Sequence, residues 1–138
     1  MRKALSYLER LSSGLVGSGA LTLINEIGHR VVSESPRVDV LGMRALVQGY
    51  RAAHERPPRG PAIPLMALAA DLLGYSAYYG LTARRSVPRG ALIGAAAGVV
   101  AALVGRALGL NGRQGYHVGR ELAMVGFYTA AGVAAALV

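Results

Sequence analysis

The sequence contains no cysteine, no tryptophan and a single phenylalanine, and it is poor in charge: 16% of its 138 residues are charged, against 53% hydrophobic. Without cysteine there is no disulfide, Cys-ligated zinc, iron–sulfur cluster or thiol nucleophile, and the redox compartment is left open. A soluble domain carries about a quarter charged residues, so the shortage argues against an ordinary water-soluble fold. The apolar content equally excludes disorder. No G-x-S-x-G and no phosphate-cradling loop is present. These absences point away from an enzyme, and no cofactor is expected.

Acidic residues are scarce relative to basic ones, 7 against 15, for a formal charge of +8. Clustered Lys and Arg ordinarily raise nucleic acid as a partner, because they neutralise phosphates. Here they fall in groups divided by apolar stretches: Arg2, Lys3 and Arg10; Arg30 through Arg59; Arg84, Arg85 and Arg89; Arg106, Arg113 and Arg120. That spacing is the pattern of membrane-flanking anchors. The expected partner is therefore a lipid bilayer and not nucleic acid.

A helix needs about 20 mostly apolar residues to cross a bilayer. Four segments are candidates: 11–32, 62–81, 90–110 and 115–138. The third is the clearest, since ALIGAAAGVVAALVG carries no charge before Arg106. The first has some features of a secretory signal, but Glu9 interrupts its basic region and no A-x-A-like site follows, so it reads as a retained helix. Between the first two candidates, Ser35, Pro36 and Asp39 form a helix-start signature. The helix expected over 36–55 is amphipathic, with Arg37, Arg44, Gln48, Arg51 and Glu55 on one face and Val38, Gly42, Leu46 and Tyr50 on the other. It is too charged to cross, and its apolar side suits the headgroup plane or the loop ends of a bundle. The prolines and Gly60 of ERPPRGP end it. The expected fold is thus an all-α integral membrane protein of one domain, with four transmembrane helices and one interfacial helix, in a multi-pass membrane location (the inner membrane in a bacterium).

Glycines at Gly90, Gly94, Gly98 and Gly105 lay a small-residue surface along the third crossing, with Gly14 and Ser18 a shorter version on the first. Such surfaces let helix backbones approach closely. A bundle this small has little interior, so this surface is a motive for a homo-oligomer or a larger membrane complex.

Polar groups inside a membrane helix usually face a bundle interior or a water cavity, and they are the default functional candidates. Asp71 lies at the midpoint of the second crossing with no basic residue within one turn, and Tyr75 and Tyr78 continue its face. Asn25 and His29 share a stripe on the first helix, flanked by Glu26 and Arg30; Arg106 is near the end of the third. If the crossings alternate, Asn25, Glu26, His29, Arg30, Arg106, His117, Arg120 and Glu121 lean toward one membrane side. A polar crevice floored by Asp71 and roofed by the amphipathic helix is expected on that side, with a weak excess of Lys and Arg marking it as cytoplasmic.

Three functions follow. Asp71 and Glu26 suit proton- or ion-linked transport or permeation, because a carboxylate in a low dielectric beside an arginine is a group whose protonation can be switched. Alternatively the cluster is a static lock in an accessory or assembly subunit. A third reading, an intramembrane metal site or headgroup enzyme, rests on Glu26-x-x-His29 facing His117 and Glu121. Against a role for Glu26, its i, i+4 spacing to Arg30 favours a simple intrahelical ion pair.

Overall fold

The computed structural model describes the backbone of residues 2–31, 38–82, 86–109 and 117–138, with side chains over 7–31, 40–80, 86–109 and 117–138. Among these residues there are five α-helices and no strand: α1 (Arg2–Val31), α2 (Val38–Ala52), α3 (Ala62–Thr82), α4 (Val87–Ala107) and α5 (Val118–Ala136). The described residues form an all-helical fold, as the periodicity predicts.

Local chemistry explains most of the boundaries. α1 begins well before Leu11, because nothing between Arg2 and Arg10 breaks a helix; the charge of Arg10 limits an apolar segment but not a helical one. α2 stops at Ala52, where the chain turns through His54 at φ 59 and, after two prolines, Gly60 at φ 70. α4 starts on Ser86, whose backbone is extended, with Pro88 in the first turn where its missing N–H leaves no helical bond unmade. It ends at Ala107, ahead of Gly109 at φ 63. The Ser35–Pro36 start signature, Val32 and residues 115–116 lie outside the described residues.

The helices pack in a chain of neighbours. α1 lies against α3 and α5, α4 lies against α5, and α2 lies against α3. All these pairs meet at small residues. A Cβ at Gly80 would come within 2.5 Å of the Arg10 carbonyl oxygen, and one at Gly98 within 2.6 Å of the Val125 Cα. Gly90 meets Gly132 backbone to backbone, and Gly94 meets Tyr128 in the same way. The glycine stripe of α4 is therefore consumed by α5 within the same chain, and it no longer supplies a motive for oligomerisation.

Hydroxyls tie the same seams. Ser13 donates to the Ala135 carbonyl, Ser18 and Ser76 share a 3.0 Å bond, and Tyr79 donates to the Tyr128 carbonyl at 3.1 Å. The interior combines small and hydroxyl-bearing residues with Leu21 and Met124; Ser18 is 1% exposed and Tyr79 fully buried, while Leu73, Leu92 and Leu122 are 73%, 71% and 65% exposed. The exposure of so many large apolar side chains departs from a water-soluble domain, which keeps most of them inside.

By length and composition one helix, α4, is apolar enough to cross a membrane, and only 17% of its most apolar stretch is buried. The expectation that four helices would each pass this test is not met among the described residues. α1 carries Glu9, Arg10, Glu26 and Arg30, α5 carries Arg120 and Glu121, and α3 mixes Asp71 with glycine, serine and tyrosine. Each of these lowers the mean apolarity of a segment even when the outward face remains leucine and valine.

A candidate carboxylate–tyrosine cavity

Asp71 is half-buried in the middle of α3, and the helix periodicity puts Tyr75 and Tyr78 one and two turns further along the same face. α2 runs back along the first half of α3 and brings Gly42 to the carboxylate; a methyl there would meet Asp71 Oδ2 at 3.0 Å. The amphipathic helix thus sits beside the midpoint of α3. Its small inward residues, Gly42 and Ala45, match the small wall of α3 at Ala67 and Ala70. Gln48 Nε2 then donates to the Leu108 carbonyl at 3.2 Å, joining α2 to the end of α4.

Between α2, α3 and α4 lies a cavity of about 510 Å³. Asp71, Tyr75, Tyr78 and Tyr128 give it polar atoms, and alanine, glycine, valine and leucine supply the rest of the wall. The tyrosines are held rather than free. The Tyr75 and Tyr128 hydroxyls are hydrogen-bonded to one another, with their rings edge to face at 5.3 Å and 73°. Tyr78 donates to the Ile93 carbonyl of α4 at 3.0 Å. Asp71 lies close enough for its charge to act on both Tyr75 and Tyr128.

Of the residues singled out from sequence, Asp71, Tyr75 and Tyr78 come together. Glu26 does not join them. Its Oε1 takes two bonds from Arg30, Nε at 3.0 Å and Nη2 at 2.6 Å, and the pair is exposed, 77% for the Arg30 side chain and 55% for that of Glu26. The expected crevice shared by Glu26 and Asp71 is therefore corrected: the i, i+4 arginine satisfies Glu26 on the outer face of its own helix. Asn25 is buried and its Nδ2 lies 3.5 Å from His29 Nε2, at the limit of a hydrogen bond on α1. Arg106 is exposed in the last turn of α4.

His117 precedes α5 and lines a separate hollow with Gly28 and Val31 of α1, while Glu121 occupies the first turn of α5, where the helix dipole favours a negative charge. Glu26, His29, His117 and Glu121 do not assemble a metal site; among the described residues no three His, Cys, Asp or Glu side chains are grouped to hold an ion. Gly90, Gly94, Gly98 and Gly105 are all buried, as packing positions should be.

Sequence reasoning missed Tyr128. Its signal was a phenol deep in an apolar helix, where an unbonded hydroxyl is expensive; Tyr79, which from sequence reads with Tyr75 and Tyr78 as a packing aromatic, is fully buried.

The fold and the cavity define, among the described residues, an all-helical bundle with a carboxylate–tyrosine pocket between α2, α3 and α4. Comparison with known proteins returns no match to a family model, to a curated protein or to a solved structure.

Proposed function

We propose that α1, α3, α4 and α5 cross a bilayer and that the cavity at Asp71 serves proton- or ion-linked transport or permeation. The observation that carries this reading is a carboxylate at mid-helix that borders a cavity of about 510 Å³. The outward leucines and valines support a lipid surround for helices whose average composition alone would not select them. In lipid there is no hydrophobic drive between helices, so contact is made through small residues and hydroxyl bonds, and those are the seams found here. Tyr75 and Tyr78 on the same helix and Tyr128 on α5 line the cavity with Asp71, and the wall contributed by α2 and α4 is apolar. Glu55 lines the adjoining hollow between α2 and α3.

The test is purified protein reconstituted into liposomes with an internal pH dye. A pH gradient should dissipate faster than in empty vesicles, and Asp71→Asn should remove the acceleration while the variant keeps its elution volume and thermal unfolding. Equal dissipation by the wild-type chain and the Asn variant would sink the proposal.

The hydrogen-bonded tyrosines favour a second reading, an accessory or assembly subunit in which Tyr75, Tyr78, Tyr79 and Tyr128 lock the helices in register. Under it, Asp71→Asn leaves no flux to lose, and what falls is co-purification of other chains.

A further inference from the structure

Resting on the reading that α1 and α5 cross a bilayer, we propose that the hollow between the end of α1 and the start of α5 holds an anionic phospholipid of that bilayer. One acyl chain occupies the hollow and the phosphate lies at Arg120 and His117. The hollow measures about 590 Å³, within the range of about 300 to 1,000 Å³ typical of small-molecule sites, and its described lining is separate from that of the Asp71 cavity.

The two helices that form it run antiparallel. Ser13 of α1 bonds the Ala135 carbonyl near the far end of α5, and Val31 borders the hollow together with His117 at this end. Polarity therefore changes with depth. His117 and Arg120 stand at the outer end, while Ile24 and Phe127 lie two turns, about 10 Å, further in along their helices. A phospholipid has the same gradient, charged at its headgroup and apolar below it. A free phosphate would leave the apolar wall of Ile24, Ile27, Val31 and Phe127 unfilled.

Charge selects the headgroup. The described residues that line the hollow include Arg120 and His117 and no Asp or Glu, and Glu26 on the neighbouring face of α1 is held by Arg30. A guanidinium presents five N–H donors, so the interaction that Arg120 already makes within the fold does not exhaust its capacity for a phosphate. His117 caps α5 without a side-chain hydrogen bond to it, and its imidazole supplies a further N–H. Basic pockets between membrane helices at headgroup depth suit anionic lipids for this reason.

The chain has no tryptophan, so Phe127→Trp places a unique fluorophore at the inner end of the hollow. The full chain is reconstituted into nanodiscs of phosphatidylcholine and phosphatidylglycerol, with one or the other lipid carrying brominated acyl chains that quench tryptophan on contact. Brominated phosphatidylglycerol should quench as a ligand bound about fivefold more tightly than brominated phosphatidylcholine. Arg120→Gln in the same background should bring the two lipids to parity. Val99→Trp, exposed in the middle of α4 and about two turns from Arg106, should show no preference. Equal quenching at Phe127→Trp, whether bulk lipid or a second copy of the chain fills the hollow, overturns the proposal. So does the same preference at Val99→Trp, or a folded Arg120→Gln variant that keeps it. If the Gln variant does not fold, the comparison between the two tryptophan positions still decides. Failure of the bilayer reading looks different: Phe127→Trp is then unquenched even when every phosphatidylcholine is brominated, while Val99→Trp is quenched, and the lipid site falls with it.

Discussion

Tyr128 makes two different contacts at one position, a hydroxyl bond to Tyr75 and a carbonyl that accepts from Tyr79. Tyr128→Phe removes the first and spares the second. Hydrogen bonds between membrane helices are worth about 0.6 kcal/mol on average and ~1.7 at most, so the variant should unfold in detergent with a loss in that range. Glu26 behaves differently because both partners of its ion pair are exposed. Glu26→Gln should change stability by no more than about 0.5 kcal/mol and leave proton flux in liposomes untouched; a large loss of flux would restore Glu26 to the functional site. Asp71 was legible in the sequence because no basic residue stands within a turn of it, whereas Glu26 was overvalued although Arg30 stood one turn away.

Between elements, the α4–α5 seam depends on glycine. Gly94 faces the Tyr128 backbone with no room for a side chain, while Gly126 on α5 has nothing within 4 Å of the position a Cβ would take. Gly94→Leu should therefore cost about 1–3 kcal/mol or more and push the detergent-solubilised protein toward aggregation on size exclusion. Gly126→Ala should be neutral or slightly stabilising in the same measurement. The stripe itself was readable from spacing, but its partner was not, because small residues at i and i+4 mark a close approach without saying which helix makes it. α2 gives the same lesson. Its apolar face, with Gly42, Leu46 and Tyr50, was correctly separated from Arg44, Gln48 and Arg51, yet periodicity carries no depth, and the helix lies beside Asp71 as well as reaching the end of α4.

For the whole molecule, the polarity of the surface decides the account. Many large apolar side chains point outward, while serines, glycines and tyrosines share the interior with Leu21 and Met124; among the described residues α4 alone is apolar enough by length and composition to cross a membrane. The native chain has no cysteine, so any single cysteine introduced into it is a unique reporter. Cysteines at Tyr7, His54, Ser86, Gly109, His117 and Val138, labelled with a membrane-impermeant maleimide in sealed vesicles, distinguish the topologies directly. Four alternating crossings predict that Tyr7, Ser86 and Val138 react from one side and His54, Gly109 and His117 from the other. A grouping of Tyr7, His54 and Ser86 against Gly109, His117 and Val138 would mean that α4 alone crosses, and would contradict the account.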